Sequence, residues 1–120
     1  MKELDSRVYD LLNDIYISAK RIVSRLQNET LESFSNEANI DAQDIAARRL
    51  GIIGEASSVL LKKFPEFCVQ HPEIPLQQAR RMRNILVHDY NNIIWQLVWK
   101  TVQDELPELI DVIEPLLSKK

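Results

Sequence analysis

Between Leu4 and Leu26 the apolar positions Val8, Leu12, Ile15, Ala19, Ile22 and Leu26 recur at steps of three or four. That spacing keeps one stripe on one side of a helix and predicts a single long amphipathic helix. The polar run "NETLESFSNEAN" follows, with a short helix expected from Thr30, where Thr30 and Ser33 can both cap. "IDAQDIAARRLGIIGEASSVLLKKF" predicts a second long helix, N-capped by Asp41 with Asp44 in its first turn. Its stripe is read as Ile45, Ile52, Ala56, Val59 and Leu60, broad enough to be covered on two sides.

Prolines punctuate the next stretch. Pro65, Pro72 and Pro75 make "FPEFCVQHPEIP" a connector with at most one turn of helix. Pro75 suits the first turn of the following helix, "PLQQARRMRNILVHD". Asn91 and Asn92 offer a turn and a new N-cap before "IIWQLVWKTVQDEL", and Pro107 opens or kinks a last helix, "PELIDVIEPLL". No strand alternation, internal repeat or low-complexity run is present. The pattern predicts an all-α protein, one domain over residues 1–120, built as an up-and-down bundle of four to five helices.

Composition supports a packed core: of 120 residues, 45% are hydrophobic and 28% charged, which excludes wholesale disorder. The chain has only two glycines, Gly51 and Gly54, and both fall inside a predicted helix. Each costs about 1 kcal/mol there, so "GIIGEA" implies the close approach of another helix, or of a second chain, across that face. Glu55, with Gly51 and Ser58 as its helical neighbours, has room around it. It reads either as a solvated glutamate or as an acceptor for an arginine or a backbone group.

Charge removes some function classes. A net charge of −3 argues against a generic nucleic-acid coating protein. Basic pairs at 48–49 and 62–63 and the run "RRMR" at 80–83 still leave a local positive surface, opposite in sign to "QDELPELIDVIE". The single cysteine, Cys68, cannot form an internal disulfide, and its neighbours "EFCVQ" supply no basic group to activate the thiol. No apolar run approaches the roughly 20 residues of a membrane span. The N-terminus "MKELDSRVYD" is not a signal peptide. A cytoplasmic protein without membrane contact is expected. There is no HExxH and no cysteine-pair spacing, and His71 reads as a solvated histidine in a proline-rich loop, so no metal and no cofactor are expected.

"RNILVHDY", residues 83–90, gathers the chain's most reactive groups. On a wheel of about 100° per residue with Arg83 at zero, Ile85, Met82, Leu86 and Ala79 fall roughly between 200° and 320°, the core face. Arg83, Arg80, Asn84, Gln77, His88 and Arg81 occupy the opposite arc, with Val87 the one apolar residue among them. A solvated basic face is one reading of this arc. Arg83 and His88 differ by about 140° on the same wheel, so one straight helix does not aim both at one atom. Two such helices about a two-fold axis would bring two arginines and two histidines around one cleft, as in an isologous dimer. Such a set suits metal-free RNA cleavage. A histidine exchanges protons near neutral pH, an arginine clamps a phosphate, and the nucleophilic 2′-hydroxyl comes with the substrate.

Arg83, four residues, His88, one residue and Tyr90 fit the R-x4-H-x-Y signature of HEPN proteins. "AARRLGIIGEASSVLLKKF", "PEIPLQQARRMRN" and "WKTVQDELPEL" resemble, in order, the corresponding stretches of the HepT branch, over about residues 40 to 110. The resemblance implies a homodimeric HEPN-like bundle and a ribonuclease toxin paired with a minimal nucleotidyltransferase antitoxin. Arg83 would then stabilise the scissile phosphate, His88 would transfer protons, and Asn84 would orient substrate or the histidine. Arg80 and Arg81 are further candidates for RNA contact. Tyr90 would be the acceptor of AMP from the partner, two residues from His88, where an anionic adduct blocks the cleft and repels RNA. Some HEPN proteins serve instead as non-catalytic adaptors that bind a nucleotidyltransferase or a nucleotide, which is the alternative function. Two positions depart from the relatives' pattern: Leu76 replaces a frequent tryptophan after the Ile-Pro pair, and "YNNIIW" lacks a glycine common after the tyrosine.

Overall fold

The computed structural model describes residues 4–87 and 93–118. Within them the chain forms six helices and no strand: α1 (Ser6–Leu26), α2 (Leu31–Ser35), α3 (Ile40–Lys63), α4 (Pro65–Gln70), α5 (Leu76–Val87) and α6 (Trp95–Ser118). The all-α expectation is met by four longer helices and two short ones. α3 is the central element, packed against α1 on one side and α5 on another, while α6 lies along α1.

α1 follows its stripe closely. Val8, Leu12, Ile15, Ala19, Ile22 and Leu26 are all buried, and Asp5 caps the helix by accepting from the Arg7 backbone N–H. The Tyr16 hydroxyl donates to Glu114, tying α1 to α6, and this bond raises the Tyr16 pKa because ionising the phenol would face a carboxylate. α2 starts where expected, with a reciprocal capping box between Thr30 and Ser33.

α3 begins earlier than its acidic residues suggest. Its N-cap is Asn39, not Asp41, and Asp41 falls in the first turn. Asn39 makes no side-chain cap; its amide N–H groups donate instead to Glu29 Oε1 at 2.9 Å and the Ser33 carbonyl at 3.0 Å. Glu29 is the hub of this corner. It also accepts from Ser33 and pairs with Arg25, and these bonds, Ser33's first, hold its carboxyl below the usual range. Buried Gln43 donates to the carbonyls of Phe34 and Asn36, which satisfies acceptors left open where α2 ends. The buried face of α3 is also rotated from the expected stripe. It consists of Ala42, Ala46, Leu50, Ile53, Gly54, Ala56, Ser57 and Leu60, with Gln43, while Ile45, Ile52 and Val59 remain only half-buried. Small residues form much of this face because two helices must approach it.

The connector holds α4, slightly longer than the single turn expected, and places Pro65 in its first turn. α6 differs more. Pro107 does not start a new helix but lies inside a continuous one, as does Pro115. Val98, Val102, Leu106, Leu109 and Ile113 are all buried, so the apolar stripe crosses Pro107 without interruption. Packing along that stripe overrides the lost hydrogen bond. Phe34 of α2 is fully buried against the same helix, with its ring 5.8 Å from Trp95 and 5.6 Å from Trp99.

The approach of α5 to α3 depends on one glycine. A Cβ built on Gly54 would lie 2.5 Å from Arg83 Cβ, 3.0 Å from the Arg83 nitrogen and 3.2 Å from the Arg80 carbonyl oxygen. The nearest obstacles are backbone and a Cβ, which cannot swing aside. Gly51, one turn earlier, meets nothing within 4 Å. The expected close approach therefore belongs to Gly54, and within this chain Gly51 faces open space among the described residues.

Two predictions follow from this packing, both read by chemical denaturation. Phe34→Ala removes the anchor of α2 and is expected to cost about 3–5 kcal/mol. Gly54→Ala is expected to destabilise by about 1–3 kcal/mol despite its better helix propensity, because α5 has to move away. Gly51→Ala, with no obstacle, should instead stabilise by about 0.5–1 kcal/mol. Equal effects at the two glycines would refute the close-approach account.

Candidate functional site

α5 carries the described part of the site, and its orientation is set from its start. Ile74 and Leu76 are buried, and the Ala79 N–H donates to the Pro75 carbonyl as the helix opens. Ala79, Met82 and Leu86 then face the core, with Ile85 half-buried against it. The opposite arc is exposed: Gln77, Arg80, Arg81, Arg83 and Asn84 all lie in solvent. The core and polar faces are those expected from the wheel. His88 and Tyr90 lie outside the described residues, so the geometry concerns Arg83, Asn84, Arg80 and Arg81.

Arg83 sits at the seam between α5 and α3. Its Cβ rests over Gly54, and its Nη1 donates to Glu55 Oε2 at 2.6 Å. Both side chains are well exposed, at 48% for Arg83 and 61% for Glu55. A pair this open to water contributes little to stability and is screened by salt. The bond engages Nη1, and among the described residues no partner is seen for the other N–H donors of the planar fork. Arg80 and Arg81, on the same helix, have no ion-pair partner among the described residues. Three exposed cations thus fall within four residues of α5, Arg80 about 60° and Arg81 about 160° around the helix from Arg83.

Glu55 is the residue whose role the sequence left open between solvent and arginine. The glycine before it was the available signal, since a helix brought close enough to touch Gly54 also brings its side chains within reach of the next position. His71 departs from expectation. It is not simply solvated: Nδ1 lies 3.0 Å from Glu73 Oε2, and the ring stacks 4.5 Å from Phe67. The Glu73 carboxyl is pulled down by that bond. Cys68 is half-buried, its thiol is directed at the Leu60 carbonyl, and burial pushes its pKa up, so it is a poor nucleophile. Among the described residues no three His, Cys, Asp or Glu side chains gather as a metal site. No described helix is long and apolar enough to cross a membrane.

The chain is similar to known proteins along most of its length. Residues 15–116 match the family model described as "Ribonuclease HepT-like". A Thermococcus cleftensis protein provisionally named ribonuclease HepT is 35% identical over 95 residues, covering 73% of this chain and 84% of the relative. A Methanocaldococcus jannaschii protein provisionally named an RNase is 33% identical over 103 residues, covering 86% of this chain and 90% of the relative. Another provisionally named RNase, from Caldanaerobacter subterraneus subsp. tengcongensis, is 28% identical over 109 residues, covering 91% and 93%. No solved structure gives a significant match.

Proposed function

The chain belongs to the HepT-like ribonuclease family, and from that membership we propose that it is a metal-independent endoribonuclease acting as the toxin of a toxin–antitoxin pair. The observation that carries the reading is Arg83, exposed, hydrogen-bonded to Glu55, and placed on α5 ahead of His88 in the R-x4-H-x-Y string. In this reaction the 2′-oxygen of RNA attacks the adjacent phosphorus while the bond to the 5′-oxygen breaks, leaving a 2′,3′-cyclic phosphate and a 5′-hydroxyl. Arg83 stabilises the charge that grows on the non-bridging oxygens. His88 exchanges the protons that the attacking and leaving oxygens lose and gain. Asn84, exposed beside Arg83, orients the substrate or the histidine. Arg80 and Arg81 hold the flanking backbone by charge.

A two-fold dimer completes the cleft, because the 140° or so between Arg83 and His88 on one helix is bridged by a second copy. The partner of the pair is a minimal nucleotidyltransferase that adds AMP to Tyr90. The adduct sets a bulky anion next to His88, where it excludes the substrate by volume and by like charge.

Purified protein incubated with total cellular RNA in EDTA is expected to release fragments ending in 2′,3′-cyclic phosphate. Arg83→Ala and His88→Ala should each slow this by at least about 100-fold and relieve growth arrest when the chain is expressed alone. Wild-type cleavage by either variant refutes the catalytic assignment. RNA left intact by the wild type, with a stable nucleotidyltransferase complex, favours the adaptor role instead. Co-expression with the partner should raise the intact mass by one or more AMP units and spare Tyr90→Phe. Neutralisation without a mass increment would point to inhibition by binding alone.

A further inference from the structure

Among the described residues a single ion pair joins α3 to α5, Glu55 with Arg83, although Arg80 and Arg81 are also exposed on the same helix. The two helices do not need it to stay together. Ala79, Met82 and Leu86 of α5 are buried in the core shared with α3, and a water-exposed pair adds little to that. The contact is better explained by what it does to the guanidinium. Gly54 and Glu55 are consecutive, and between them they hold both ends of one side chain: Arg83 Cβ lies against Gly54, and Nη1 is bonded to Glu55. The intervening stem is otherwise free to rotate, and a guanidinium grips a phosphate with two parallel bonds only when the plane of its fork is set.

We propose that Glu55 is a positioning residue for Arg83, occupying Nη1 so that another edge of the fork is presented to the scissile phosphodiester. The inference rests on the ribonuclease reading above, in which Arg83 contacts that phosphate. Its kinetic signature is specific. Charge on the non-bridging oxygens grows toward the transition state, so fixing the donors in advance acts more on kcat than on KM. Glu55 is also an anion beside a polyanionic substrate. Removing it therefore does not weaken ground-state binding, which a simple loss of RNA contact would do.

The test uses the full chain, a short fluorogenic RNA in EDTA, and Glu55→Ala and Glu55→Gln, alone and combined with Arg83→Lys. Glu55→Ala is expected to lower kcat about tenfold with KM within about threefold, since misplacing a catalytic group is costly. Glu55→Gln keeps an oxygen acceptor for Nη1 and should retain at least about a third of kcat. With Arg83→Lys, which lacks the planar fork, Glu55→Ala should change kcat by less than about twofold, the non-additivity of a coupled pair. The thermal midpoint of Glu55→Ala should match the wild type. Unchanged kcat in Glu55→Ala, equal loss in Ala and Gln, or a full further loss on Arg83→Lys each overturns the proposal. Absence of RNA cleavage by the wild type sinks the ribonuclease reading separately. The positioning itself is then decided by side-chain 15N NMR of Arg83. Restrained, resolved Nη signals should appear in the wild type and collapse in Glu55→Ala. Averaged signals in the wild type, or resolved ones in the variant, overturn the role of Glu55.

Discussion

α5 lies where it does because one position of α3 has no side chain. The absent Cβ of Gly54 is filled by the Arg83 Cβ and by backbone from Arg80 and Arg83, so the two helices meet nearly backbone to backbone at the level of the site. The rest of the arrangement follows from that contact. It directs Ala79, Met82 and Leu86 into the core, turns the basic arc outward, and brings the arginine fork within reach of Glu55. A glycine normally disfavoured in a helix is retained here because any larger residue would push the site away from its support.

How far the fold could be read in advance depended on which residues did the packing. α1 was legible because its buried positions are all apolar and evenly spaced. α3 was misjudged in phase because much of its core face is Ala, Gly, Ser and Gln, which carry little hydropathy, whereas Ile45, Ile52 and Val59 look buried and are not fully so. The end of the chain was misjudged for a different reason. Proline is a local signal, and at Pro107 it is outweighed by a stripe from Val98 to Ile113 that only tertiary packing rewards. At the site, the faces of α5 were visible in its periodicity. The partner of Arg83 was only half visible: the glycines marked Glu55 as a possible acceptor for an arginine, but at 28 positions' distance nothing local said which one.

The molecule divides its interactions by depth. Core contacts and the close glycine contact fix where the helices run, and these are expensive to disturb. Arg83 and Asn84 sit outside, on the exposed arc of α5, and Arg83 is joined to Glu55 by a pair that adds little to stability. Such a site can be rigid in its framework and still leave its polar groups open to solvent. At the α2–α3 corner the same economy holds in reverse: Glu29 gathers Arg25, Ser33 and Asn39, so a short helix of five residues is pinned by polar bonds on one side and by Phe34 on the other.

The aromatic contact of Phe34 has a use beyond stability. The chain has two tryptophans, and both pack on that one ring, Trp95 at the very start of α6 and Trp99 one turn on. Trp95 is also five residues beyond Tyr90 along the chain. Indole emission therefore reports on a single place, the junction between the docked short helix and the start of α6. The protein contains its own optical probe of that junction, with no second tryptophan environment elsewhere to dilute the signal.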